Sequence, residues 1–246
     1  MVEGNLDYTG KVVAIVGGSS GIGNAIARAF LQRGASVHVT GTKNEPSEYL
    51  NDSGSNMDGM TYHQLDVSDT NAIITFCARF EVLDILVQSQ GLVVYGRKEF
   101  EVETFQKILD INLTSLMACA NGMFSLLKAS GGSIIIISST AAYHATVGNP
   151  AYNASKAGAT GLIRTLGKAW APEGIRVNGI APGLVETKMT AVTTQHEGRR
   201  ASVLLSIPVG RIGVPDDMAG LALFLASPMA SYIIGQTIVA DGGMLL

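Results

Sequence analysis

Tyr152 and Lys156 stand four residues apart in the stretch 150–158, so on a helix they share one face. A free phenol ionises near about pH 10, too high to act as a base at neutrality. A lysine ammonium beside it lowers that value and makes the phenol a usable proton donor and acceptor. Ser139 lies thirteen residues before Tyr152, at the end of the apolar run 133–138, which reads as a buried strand. Its hydroxyl is placed to bind the oxygen that receives the proton. These groups suit the interconversion of an alcohol and a carbonyl. A bare Tyr-x-x-x-Lys pair is common by chance as two solvated side chains, so the reading depends on its surroundings.

The N-terminal region supplies them. Residues 11–16 form a short apolar run, followed by Gly17-Gly18-Ser19-Ser20-Gly21-Ile22-Gly23, and residues 24–31 then repeat apolar side chains at helical spacing. A glycine-rich turn between strand and helix lets backbone N–H groups approach a pyrophosphate, and the helix N-terminus adds its dipole and unpaired donors. The spacing here is GxxxGxG, not the commoner GxGxxG. Downstream, strand-like runs at 36–40, 61–65, 83–88, 133–138, 175–180 and 236–239 alternate with helix-like stretches at 72–80, 105–128, 151–171 and 219–226. That alternation predicts an α/β fold: a single-domain, Rossmann-type, doubly wound parallel sheet of about seven strands flanked by helices. Ligands of such sheets lie beyond the carboxyl ends of the strands. Gly17, Gly41, Asp66, Gln88, Ser139 and Pro182 all fall at or just after predicted strand ends.

Composition narrows the function classes. The chain has 246 residues, 47% hydrophobic and 15% charged, with a net charge of −3, which favours neither nucleic acid nor an anionic membrane as a partner. No apolar run reaches the roughly 18 residues of a membrane span. Two cysteines, Cys77 and Cys119, with no zinc-ligand spacing, suit a reducing cytoplasm, and none of the four histidines is spaced for metal binding with another. Residues 1–10 read as an N-terminal tail that is not a signal peptide. The whole of 1–246 reads as one dinucleotide-binding and catalytic domain, with 187–207 as a substrate loop or lid.

In its order of motifs the chain resembles the short-chain dehydrogenase/reductase family, in its single-domain form. The resemblance runs from Gly17–Gly23 through Leu65-Asp66-Val67, Asn112, Ser139 and Tyr152-x-x-x-Lys156 to Pro182-Gly183-Leu-Val185-Glu-Thr187. The C-terminal Asp241-Gly-Gly-Met244 is similar to members related to 3-oxoacyl-(acyl carrier protein) reductases. The resemblance implies catalytic roles for Asn112, Ser139, Tyr152 and Lys156. Tyr152 is the acid/base, Lys156 lowers its pKa and holds the nicotinamide ribose, Ser139 polarises the carbonyl, and Asn112 holds a water in a proton relay. It implies cofactor contacts from Gly17, Ser19, Ser20, Gly21, Ile22 and Gly23 around the phosphates and from Thr42, Asp66 and Val67 at the adenosine. Gln88, Gly91, Pro182, Val185 and Thr187 follow toward the nicotinamide, together with Tyr152 and Lys156.

Two departures stand out. The family's usual Asn-Asn-Ala-Gly after strand four is Gln88-Ser89-Gln90-Gly91 here, and Gln90 replaces a small residue that the cofactor ribose passes. Val16 replaces a threonine whose hydroxyl braces the glycine turn. At the end of strand two stands Thr40-Gly41-Thr42-Lys43, with no carboxylate to hold a ribose 2′-hydroxyl or repel a 2′-phosphate. NADP is therefore the preferred cofactor, with NAD the alternative. The expected function is a carbonyl reductase or alcohol dehydrogenase acting on a small molecule. Reduction of a 3-oxoacyl thioester and a non-catalytic dinucleotide-binding sensor are the alternatives. Apolar and small residues on more than one face of 105–128 and 151–171 predict a homotetramer.

Overall fold

Apolar runs without a polar face must be covered on both sides, and this chain covers them with a parallel sheet between two helical layers. The computed structural model describes residues 6–246. The sheet holds β1 (Val12–Val16), β2 (Ser36–Gly41), β3 (Thr61–Gln64), β4 (Ile85–Gln88), β5 (Ser133–Ile137), β6 (Arg176–Pro182) and β7 (Thr237–Ala240). The strands run parallel in the order β3-β2-β1-β4-β5-β6-β7. Winding reverses between β1 and β4, which opens a crevice beyond their carboxyl ends. The register Val16↔Gln88 and Gln88↔Ile136 levels the three central strands, so their following loops meet at one place.

The helices, in chain order, are α1 (Gly21–Leu31), α2 (Thr70–Cys77), α3 (Val102–Leu109), α4 (Ser115–Gly122), α5 (Phe124–Ser130), α6 (Pro150–Trp170), α7 (Ala191–Thr194), α8 (Glu197–Leu204) and α9 (Pro215–Ala226). Strand β1 shows how the layers form. Val13 and Ile15 pack with Ile26, Phe30, Ala222 and Leu223 of α1 and α9, while Ala14 and Val16 pack with Ile73, Leu116 and Ile163 of α2, α4 and α6. No helix among the described residues is long and apolar enough to cross a membrane.

Three expectations are corrected. The single helix predicted over 105–128 starts at Val102 and is broken twice, by a π turn at Asp110–Thr114 and again at Met123. The π turn places Asn112, fully buried, against the site. The predicted helix 219–226 begins earlier, at Pro215. Proline suits a first helical position, and Asp217 reaches back to accept a hydrogen bond from the Val214 amide at 2.8 Å. The described part of the predicted N-terminal tail is docked, because Tyr8 is buried edge-on against Phe30 and donates its hydroxyl to the Leu223 carbonyl at 2.5 Å. Residues 1–5 of that tail lie outside the described residues.

Candidate active site

The turn between β1 and α1 is shaped by backbone that only glycine adopts freely. Gly17 and Gly21 have φ of +76° and +57°, and a Cβ on Gly17 would lie 2.7 Å from the Gln90 amide. Ser20 is the N-cap of α1, yet its side chain makes no capping bond. The Gly21 amide is taken by the Gly54 carbonyl at 3.0 Å, and no side chain caps the donors that follow it, as suits a phosphate site. The brace expected from a threonine at position 16 comes from the next strand instead: the Gly17 amide donates to Thr40 Oγ1 at 3.0 Å.

A cleft of about 440 Å³ runs from this turn along the strand ends, within the range of small-molecule sites. Among its lining residues are Gly17, Ser19, Ser20, Gly21, Ile22, Thr42, Asp66, Val67, Gly91, Ser139, Tyr152, Lys156, Pro182, Val185 and Thr187, all expected from the sequence. Two expected cofactor residues fall outside it. Gln88 is fully buried and donates to the Leu116 carbonyl at 3.1 Å, so it ties β4 to α4. Gly23 serves packing, because a Cβ there would meet the Gly17 carbonyl oxygen at 2.2 Å. Gln90 lines the cleft, but its amide nitrogen is bonded to Gln88 Oε1 at 3.2 Å and Ser115 Oγ at 3.1 Å. The enlarged side chain is therefore tied to the protein interior, with its Oε1 left without a partner.

At the far end of the cleft the hydroxyls separate by role. Ser138 Oγ is buried against the Lys156 carbonyl at 3.1 Å and Thr160 Oγ1 at 3.0 Å, which makes it structural. Ser139 lines the cleft with Tyr152, and its Oγ accepts from the Ala141 amide at 3.1 Å. Burial raises the Tyr152 phenol above its ordinary value, the Ser139 hydroxyl opposes that rise, and the nearby Tyr95 and Glu99 add to it. The depression expected from Lys156 is absent. Burial pushes Lys156 itself down to about 8, and its Nζ sits 5.6 Å from the Tyr152 ring centre while donating to the Ile137 carbonyl at 2.9 Å.

Asn112 is close by but engaged. Its Oδ1 accepts from the Leu92 amide at 2.7 Å, and its Nδ2 donates to the Leu92 carbonyl at 2.8 Å and to Ser155 Oγ at 3.1 Å. The side chain clamps the loop after β4, and one lone pair of its Oδ1 stays open to a further donor. Glu99, unremarked in the sequence, is fully buried among three donors: the Val94 amide at 3.0 Å, Asn149 Nδ2 at 3.0 Å and the Tyr152 amide at 2.9 Å. It therefore fixes the N-terminus of α6. Val185 pairs with Gly213, and Thr187 crosses to within 3.3 Å of a Cβ built on Gly21, so the start of the 187–207 segment overhangs the phosphate turn. His144 is exposed and outside the cleft, and His196 caps α8. No cluster of metal ligands occurs among the described residues.

Comparison with known proteins agrees with this geometry. Residues 16–245 match the family model described as enoyl-(acyl carrier protein) reductase. The chain is 36% identical to 3-oxoacyl-[acyl-carrier-protein] reductase FabG of Chlamydia pneumoniae, over 98% of this chain and 99% of that one. Among solved structures, the Pseudomonas aeruginosa RhlG/NADP active-site complex superposes with a TM-score of 0.88 at 30% identity, covering 98% of each chain. A short-chain type dehydrogenase/reductase from Mycobacterium ulcerans gives a TM-score of 0.88 at 25% identity, over 97% of this chain and 91% of that one. The protein belongs to the short-chain dehydrogenase/reductase family and is an oxidoreductase.

Proposed function

We propose that the cleft binds a nicotinamide dinucleotide, NADP in preference to NAD, and that the enzyme interconverts a ketone and a secondary alcohol on a small molecule. The observation that carries this reading is that Ser139 and Tyr152 line the same cleft as the glycine turn. The crowded, left-handed glycines and the uncapped start of α1 fit a pyrophosphate. The cofactor, when bound, supplies or accepts the hydride.

The protein's own part is positional and protonic. Ser139 and Tyr152 direct two hydroxyls at one point, where a carbonyl oxygen would accept both. In the reducing direction the Tyr152 O–H gives its proton to that oxygen as charge builds on it. In the oxidising direction the phenolate takes the proton back. Lys156 offers a buried cationic donor beside the phenol, and Asn112 and Glu99 hold the loop and helix that carry the reacting groups. Preference for NADP is supported by the lack of a carboxylate on Gly41 or Thr42, by Lys43 at the same strand end, and by the NADP in the RhlG complex.

Reduction of a 3-oxoacyl thioester is the second reading, supported by the likeness to FabG along nearly the whole chain. A cytoplasmic location fits the two free, buried cysteines, and a single domain over 1–246 fits a sheet shared by both apolar layers. Assembly as a homotetramer is supported by small and apolar groups turned outward on α4 and α6 and by the sheet edge at β7. The test is NADPH oxidation with a panel of small ketones and with acetoacetyl-CoA. Turnover with ketones supports the first reading, and turnover confined to the thioester supports the second. No oxidation of NADPH or NADH with any member refutes both.

A further inference from the structure

Between β2 and β3 the crossover has no α-helix. Residues 44–57 contain only a 3-10 turn at Pro46–Tyr49 and form a strap whose Tyr49 lines the cleft at the end of β2. Asn24 of α1 pins one end, donating to the Asn56 carbonyl at 2.9 Å and accepting from the Asn56 amide at 3.1 Å. The Gly54 carbonyl takes the Gly21 amide at 3.0 Å, removing one donor from the phosphate turn.

One side chain of this strap, Tyr49, stands where a cofactor's ribose substituent would, and a second, Asp52, pairs with cations beside it. The group on the ribose 2′ carbon is read at the end of β2 in this fold. There the Tyr49 hydroxyl accepts from the Lys43 amide at 3.0 Å and lies 2.5 Å from where a Cβ on Gly41 would be. Ser19 and Thr42 line the cleft with it. Burial raises the phenol, but hydrogen bonding, with the Lys43 amide first, outweighs it and holds Tyr49 below the ordinary phenol value. Lys43 Nζ, 4.5 Å from the Tyr49 ring centre, pairs with Asp52 at 3.0 Å, and Lys188 from the opposite wall also pairs with Asp52. The strap thus offers a hydroxyl and a carboxylate to the donors and cations a 2′-phosphate would use.

We propose that residues 44–57 are a built-in competitor for the cofactor's 2′-phosphate, so that Tyr49 and Asp52 set the ratio of NADP to NAD binding. This rests on the dinucleotide reading of the cleft. A ligand whose binding-competent state is only partly populated binds more weakly by that fraction. A 2′-phosphate has to displace the Tyr49 hydroxyl, whereas a nucleotide without one leaves it seated.

Isothermal titration with adenosine 2′,5′-bisphosphate and with 5′-AMP isolates the effect without turnover. Tyr49→Phe is expected to tighten the bisphosphate roughly tenfold, the scale of one hydrogen bond to a charged group, and to change 5′-AMP less than about twofold. Asp52→Asn, at a part-exposed site that folding tolerates, is expected to tighten the bisphosphate by about threefold, as suits exposed ion pairs. In the unaltered protein the bisphosphate should speed hydrogen exchange across 44–57 and 5′-AMP should not. Equal effects on both nucleotides, weaker bisphosphate binding in either variant, or slowed exchange in the strap would overturn the proposal while leaving the dinucleotide reading intact. Failure of the unaltered protein to bind either nucleotide would overturn that reading, and the strap's role with it.

Discussion

Lys156 is held in two conflicting ways: the role proposed for it needs its charge, and its position denies it water. Its value of about 8 in the folded protein lies below the 10.5 of an exposed lysine. Between those limits the unfolded chain binds more protons than the native one, so stability should rise with pH from about 8 to 10.5, and the full penalty remains below 8. That penalty is roughly 3 kcal/mol, and loss of the bond to the Ile137 carbonyl returns about 1 kcal/mol of it. Lys156→Met is therefore expected to melt higher than the unaltered protein at pH 7, by an advantage that shrinks toward pH 10, while losing turnover. A Met variant that is less stable at pH 7 in thermal scans would show that the charge costs nothing there. Tyr152→Phe keeps the ring and removes the proton. Turnover should fall about 10²-fold or more with the melting temperature little changed, and steady-state kinetics beside a thermal scan check both. Tyr152 and Lys156 were legible because their relation is local, one helical turn. Thr40 bracing Gly17, and Gln90 turned onto Ser115, are contacts across strands and helices that residue spacing does not encode.

At the level of elements, α6 carries both Tyr152 and Lys156, and a residue from a distant loop sets its start. Glu99 accepts from three donors, one of them the Tyr152 amide. Glu99→Ala leaves them unpaired in a buried place, which should cost on the order of 3 kcal/mol or more. Glu99→Gln keeps the shape but turns an N–H toward one of the donors, so a smaller loss is expected, about 1–2 kcal/mol. If Glu99 positions α6, Gln should lower kcat with nucleotide affinity unchanged. Equal losses in kcat and in 5′-AMP binding would instead mark a general collapse of the cleft. The central strands β1, β4 and β5 could be read because a parallel sheet buried on both faces demands apolar runs, and the more polar β2 and β3 from their alternation with helices. The break of 105–128 into α3, the π turn, α4 and α5 could not. An i→i+5 turn needs no distinctive residues, only the pull that buries Asn112 against Leu92 and Ser155. The strap over 44–57 was hidden for the same reason: Tyr49 and Asp52 matter through what they meet after folding.

On the scale of the whole molecule, the surface left over once both layers are packed points outward in two places. On α4 and α6, the inward side chains Leu116, Ala120, Ala159 and Ile163 are buried, while Met117, Ala154 and Ala157 are exposed and Leu162, with Leu113 of the preceding π turn, is half-buried. Small residues there let two helices approach closely, and a two-fold axis would set each against its own copy. The second place is β7, the last strand of the sheet, with Val239 and the nearby Tyr232 and Leu246 exposed. An open strand edge beside exposed apolar side chains is what a closed assembly removes. In the proposed assembly each face pairs with its own copy about its own axis, and two such axes generate four subunits, not two. Light scattering at micromolar concentration should therefore give about four times the 25.7 kDa chain. Ala157→Glu, at an exposed position on α6, brings like charges together across the first axis and should lower that mass by half or more. The same substitution should leave the melting transition of the separated subunit cooperative, since Ala157 covers no core residue. A mass near one chain in the unaltered protein would refute the assembly, and an unchanged mass in the variant would move the axis away from α6.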